Sequence, residues 1–425
     1  MKDTAIKYCF CIFLLINFSA AFAQDERAQL PLALRNAYFG VSVGSINYDF
    51  NDWQFQALPD SKYKLDHVIV NHAAVRIVLY GYEFNKYLAA QLTYMRPVSW
   101  VFYHYYKDYG EVNQSLNRSS VWMSIGGLTL RPQLPINKHF SLNGEIGLGI
   151  VTRHGFDAED STTLVSDALY PTILLGGGIN YHINDSWRLM LSIAYTPKEI
   201  SVKQPANSFI ALGFNYKLLP VSTKKLEVAS KTGYIHPKQW VQIGYSSNML
   251  GYGVNNTLEK ASLFWGGDVE VYQGLTLNYQ RNVYHAAKVF ALDWGISASN
   301  WQTKGIGRGL SNPNKESFFT LSIYPVLRFN FLHTKPLDMY FYYSVAGPTY
   351  ISKTDFKVQT RDNKEETALT GKHFTFQDNI GLGTFFGSKR NMNAEIKIGH
   401  YSNGNVFPDN AAVKIPLSIN IGYTF

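Results

Sequence analysis

Near the C-terminal end, "GHYSNGN" (Gly399–Asn405) places a histidine two residues ahead of a serine. His400 has the chemistry of a general base and Ser402 that of a nucleophile. The pair ends a run in which Ala394, Ile396, Ile398, His400 and Ser402 share one strand face. Glu395, Lys397, Gly399 and Tyr401 take the other face. Residues two apart on one face are separated by about 6.6 Å, a gap that a leaning imidazole spans where a strand bends into a loop. "SNGN" is such a bend signal. Asn403, and the backbone N–H of Asn403 or Gly404, then lie where an oxyanion would form. The plain alternative is turn chemistry at Ser402–Asn405 beside an ordinary interfacial histidine.

Other chemistries find little support. No His-Glu-x-x-His or other zinc-spaced pair occurs, so neither a metal nor a cofactor is expected. The two cysteines, Cys9 and Cys11, fall in the N-terminal apolar run, which leaves no thiol or disulfide chemistry for the rest of the chain. "KGIGRGL" (Lys304–Leu310) has spaced glycines but no helix pattern after them, and reads as a loop. The net charge of +8 contains no long basic block. It argues against nucleic acid as a partner and suits an anionic lipid surface.

The elements that must position the pair follow from the rest of the sequence. Lys2 and Lys7, an apolar stretch and Ala21-Phe22-Ala23 read as a signal peptide over residues 1–23. Beyond it the chain is 15% aromatic and alternates apolar with polar residues, as in "AVRIVLYGYEF" (Ala74–Phe84) and "LNGEIGLGIV" (Leu142–Val151). Alternating segments of about ten residues, joined in turn by short turns and long polar loops, form the signature of a transmembrane β-barrel. A soluble β-sandwich would share the alternation but not the signal, the strand length and the aromatic load together.

The expected fold is all-β: two tandem eight-stranded antiparallel transmembrane β-barrels after the signal peptide. The first covers 24–217 and the second 240–425, with a Pro- and Lys-containing linker at 218–239. In the second, the opening strands are expected at 240–253 and 262–284. "LGFNY" (Leu212–Tyr216) and "IGYTF" (Ile421–Phe425) repeat one closing pattern, which favours two barrels over one sixteen-stranded pore. With the apolar row outward, His400 and Ser402 face lipid, close to the outer surface of a bacterial outer membrane.

Here the sequence resembles a known family. "HYSN" (His400–Asn403), "GKHFTFQDNIGLGTFFG" (Gly371–Gly387) and "YYSVAGPTYISK" (Tyr342–Lys353) resemble the lipid A 3-O-deacylase (PagL-type) family, including members labelled acyloxyacyl hydrolase. The resemblance covers about Gln239 to Phe425. It implies an outer-membrane carboxylic ester hydrolase that acts on lipid A of the lipopolysaccharide without a metal. His400 and Ser402 take the places of the family's His and Ser, and Asn403 that of its oxyanion residue. A barrel ending in Phe also resembles the substrates of the outer-membrane assembly machinery. The family's orienting Glu lies about fourteen residues past its His, where this chain has Val413 and Lys414. Asp378, on the outward parity of its strand, and Asp409, in the adjoining loop, are the stand-ins to consider. The first barrel resembles only the general OmpA/OmpX-like class. The opposing expectation is a non-catalytic barrel with a surface binding or scaffolding role. The sequence assigns no oligomeric state.

Overall fold

The computed structural model describes residues 28–56, 62–108, 116–231, 235–260, 267–286, 289–305, 315–359 and 365–425. The expected signal peptide and residues 306–310 of the glycine-spaced segment lie outside the described residues. The first unit contains β1 (Ala37–Tyr48), β2 (Tyr63–Ile69), β3 (Ala73–Asn85), β4 (Leu88–Pro97), β5 (Val101–Lys107), β6 (Asn117–Pro135), β7 (Phe140–His154), β8 (Phe156–Asp157), β9 (Thr163–Val165), β10 (Ala168–His182), β11 (Trp187–Thr196) and β12 (Asn207–Lys217). Eight of these close a ring, with β6 pairing β7 and β12 returning to β1. The short β2 and β5 pair with each other and extend β6 beyond the ring.

Helix α1 (Thr223–Ser230) lies in the connection to the second unit. That unit contains β13 (Gln239–Ser247), helix α2 (Gly253–Lys260), β14 (Val269–His285), β15 (Phe290–Thr303), β16 (Ser317–His333), β17 (Leu337–Ile351), β18 (Asp355–Gln359), β19 (Glu365–Leu369), β20 (Phe374–Phe386), β21 (Met392–Ser402) and β22 (Val413–Thr424). Strands β13–β17 and β20–β22 form a closed eight-stranded barrel, while β18 and β19 pair as a separate hairpin. The chain thus forms two eight-stranded barrels, and the sixteen-stranded alternative falls away.

Alternation is the cause of closure and also fixes what each wall faces. On β6 the outward Leu128 is 60% exposed, while the inward Thr129 and Arg131 are buried. The first lumen holds an Arg76–Glu145 ion pair (2.9 Å), joined by Thr129. The second holds Arg328 on Asp293 (2.9 Å) and Arg390 on Asp338 (2.7 Å). Tyr340 donates to Glu395 (2.8 Å) and accepts from Asn393 (2.7 Å). Charged groups inside and bare aliphatic groups outside invert the polarity of a water-soluble protein. The exposed row is stable only against lipid. Eight strands enclose a bore that these side chains fill.

Two stretches of the second unit differ from expectation. The strand expected over 240–253 ends at Ser247, whose Oγ accepts from Met249 N–H (3.2 Å). A 3-10 turn (Asn248–Leu250) follows, and Gly251 at φ +90° turns the chain away from the sheet. Helix α2 follows and is tied to β22 by Asn255 Nδ2 donating to the Ile415 carbonyl (3.1 Å). Because β13 stops short, β14 continues beyond it and pairs in parallel with β22 at Val269–Val413 and Glu270–Lys414. β14 begins at Val269, after Gly267 and Asp268 outside any strand, while residues 262–266 of the expected strand lie outside the described residues. In the first unit, β2 at Tyr63–Ile69 was not expected, because "YKLDHVI" mixes charge into its alternation.

Candidate active site

The candidate pair lies at the long-loop end of the second barrel. β20 and β21 meet through a tight turn at Gly387–Asn391, where Gly387 takes φ +89°. This turn sets a register in which Asp378 stands directly opposite His400, and Phe376 opposite Ser402. On the other flank His400 is paired with Lys414 of β22. Paired residues on one face have Cβ atoms about 4.5–5.5 Å apart, so one outward row runs Asp378, His400, Lys414. His400 is 7% exposed, and Ser402 is half-buried.

Each flank is built. Asp378 Oδ1 accepts from Ala346 N–H (2.7 Å) and from Tyr343 Oη (3.4 Å). The Ala346 amide reaches it because β17 is irregular between Ser344 and Gly347, with Ala346 at φ +41°. Lys414 holds Glu259 of α2 (3.2 Å) and Glu270 of β14 (3.4 Å). The neighbourhood where the resemblance implied a carboxylate, Val413 and Lys414, therefore carries a cation that gathers two carboxylates. Linear sequence gave no signal for Glu259 or Glu270, since the short β13 and the fold-back of α2 bring them there.

The loop after β21 is closed on itself. Ser402 Oγ donates to Asn410 Oδ1 (3.2 Å) and accepts from Gly404 N–H (3.2 Å). Asn410 Oδ1 also accepts the Asn403 N–H (2.8 Å), so both backbone groups expected at an oxyanion hole are engaged within the loop. Asn403 Nδ2 donates to the Thr370 carbonyl (3.1 Å) and to that of Asp409, anchoring the loop to the β18–β19 side. Its Oδ1 is buried without a hydrogen-bond partner. No motif in the sequence marks Asn410, whose part in the network depends on the loop folding back onto Ser402.

Asp409 is turned to the first barrel. With Arg118, Trp122, His154, Asp157 and Asp167 it lines a groove of about 1020 Å³. Burial raises its carboxyl above the ordinary range and Asp167 adds to the rise, while His154 opposes it. Of the two candidate acids, then, Asp378 shares a row with His400, and Asp409 takes its charge environment from the neighbouring barrel.

Residues 261–415 match the family model described as Lipid A 3-O-deacylase (PagL), and residues 9–217 match the one described as Outer membrane protein beta-barrel domain. Among solved structures, the outer membrane enzyme PagL is 14% identical, with 44% of this chain and 99% of that one covered, at a TM-score of 0.28. Neisserial surface protein A is 15% identical, with 43% and 97% covered and a TM-score of 0.27. Ail, the attachment invasion locus protein of Yersinia pestis, is 13% identical, with 43% and 99% covered and a TM-score of 0.26. No curated protein matches the chain. The chain is thus a bacterial outer-membrane protein of two β-barrels in series, and residues 261–415 of the second are similar to the lipid A 3-O-deacylase (PagL) family model.

Proposed function

We propose that the second barrel hydrolyses an acyl ester of lipid A at the rim of the outer leaflet, with Ser402 as nucleophile and His400 as general base. The observation that carries this reading is the outward row in which Asp378 stands opposite His400 with Ser402 next on the same face. His400 takes the Ser402 proton as Oγ attacks the ester carbonyl. The sugar hydroxyl leaves with that proton, giving an acyl-serine. Water, deprotonated by His400, then releases the fatty acid and restores Ser402. Asp378 orients the imidazole and stabilises its charged form, the part an acid plays in a triad. For this cycle the Ser402 hydroxyl swings from Asn410 toward His400. That movement frees the Gly404 N–H to meet the oxyanion, and the Asn403 N–H joins it once Asn410 Oδ1 also turns away. No metal or cofactor enters the scheme.

A second reading, a non-catalytic surface barrel, is favoured by Val413 and Lys414, with no carboxylate, in the neighbourhood of the family's Glu and by the closed Ser402–Asn410 network. Mass spectrometry of lipid A from cells expressing wild type, Ser402→Ala or His400→Asn separates the two. The esterase reading expects an acyl chain to be lost only with wild type. Identical acyl profiles in all three, with every barrel folded, would leave the binding role.

A further inference from the structure

The first barrel has no role in the chemistry above, yet its outer wall touches the loop that carries Asn403 and Asn410. Tyr94 Oη of β4 donates to the Gly404 carbonyl (2.9 Å). Ser124 Oγ of β6 donates to the Asn405 carbonyl (3.0 Å), and Thr152 Oγ1 of β7 to the Val406 carbonyl (3.0 Å). Three adjacent strands thus serve three successive carbonyls.

These hydroxyls belong to the lipid-facing row. Ser124 shares its parity with Leu128 and Leu130, and Thr152 with Leu148 and Ile150, all of them exposed. Yet Ser124 is 2% and Thr152 1% exposed. They are covered, and the loop carbonyls satisfy them. Ser124 and Thr152 are direct register partners, so they form one polar patch in an apolar wall. A buried hydroxyl without a partner is costly, and here the loop carbonyls supply the partners. The loop is shaped to match. Gly404 and Asn405 both take left-handed backbone, at φ +63° and +59°. Such a pair is available to Gly and Asn at low strain, and it directs consecutive carbonyls outward from the second barrel.

We propose that the outer wall of the first barrel is a positioning surface for the candidate site. Tyr94, Ser124 and Thr152 fix Gly404–Val406, and through them the Asn403–Asn410 network that holds Ser402. The part that concerns turnover rests on the esterase reading; the docking itself does not. These are positioning residues, since they reach Ser402 only through the loop.

The test uses the full chain in lipid nanodiscs. Hydrogen exchange over residues 403–411 is compared between wild type and the triple variant Tyr94→Phe, Ser124→Ala, Thr152→Val. Loss of three hydrogen bonds should speed exchange there by about tenfold or more, with the strands of both barrels unchanged. Ser124→Thr and Thr152→Ser keep the hydroxyls and should keep the protection. In the same samples kcat for acyl release should fall while KM holds, because the loop frames the oxyanion rather than the acyl chain. Unchanged protection in the triple variant overturns the proposal, as does lost protection with kcat unaltered. Failure of the esterase reading looks different: Ser402→Ala then matches wild type, and exchange alone decides the dock.

Discussion

Replacing Asp378 by Asn removes the charge opposite His400 and little else. Asn keeps an acceptor oxygen, so the Ala346 N–H, now at 2.7 Å, retains a partner. The fold should lose no more than about 1 kcal/mol. What disappears is the negative charge that offsets an imidazolium. Its loss matters more here because Lys414, paired with His400 on the other flank, disfavours a second cation. A serine–histidine pair deprived of a charged orienter loses up to about 10⁴ in turnover. The half-buried, membrane-edge setting argues for a range of about 10² to 10⁴, or roughly 2.7–5.5 kcal/mol on the barrier. The assay is the rate of fatty-acid release from lipid A by purified protein, read by mass spectrometry. Heat-dependent mobility on a gel confirms that the barrel is closed. A folded Asp378→Asn protein with kcat within twofold of wild type would refute Asp378 as the orienting acid.

Other outcomes follow from the packing. Arg328→Met leaves Asp293 buried without its Arg328 counter-ion, with Asn282 Nδ2 still donating to it (2.7 Å), and should cost about 3–5 kcal/mol in urea unfolding from micelles. Leu128→Arg places a cation on the lipid-facing wall and should cost about 2–4 kcal/mol in the same measurement. An acid whose folded pKa is raised weakens the folded state when ionised. Asp409 should therefore contribute a gain in folded-state stability as pH falls from neutral through its raised pKa toward the ordinary 3.8, and gain nothing below that. Asp409→Asn should remove this contribution, seen as a smaller rise in denaturation midpoint than wild type shows across that range.

The strands could be read from the sequence because a two-residue period is local. Leu128, Leu130 and their neighbours announce a lipid wall without any knowledge of partners. The Asp378–His400 row was within reach for the same reason, since a tight turn at Ser388–Lys389 fixes register. The ends of strands are less legible. "SSNMLGYG" (Ser246–Gly253) alternates well enough to extend a strand, and only the capping hydroxyl of Ser247 and the left-handed Gly251 reveal the break. Lys414 looked like a missing acid, and its meaning emerged only when α2 and β14 brought Glu259 and Glu270 to it. The dock was hidden altogether. Tyr94, Ser124 and Thr152 are far apart in sequence and each resembles an ordinary interfacial residue. Only their common outward parity on neighbouring strands makes them a patch.

The segment from Leu218 to Lys238, with α1 inside it, ties the two barrels into one molecule. Contact between them is therefore an intramolecular event, with an effective concentration on the order of millimolar for a short tether, higher still for partners confined to the same sheet of lipid. Three hydroxyl contacts, too few to hold separate proteins together, can then keep a loop in place for most of the time. Mixing the two barrels as unlinked chains would dilute that contact away, so the covalent connection itself sets how often the loop is in register with its neighbour.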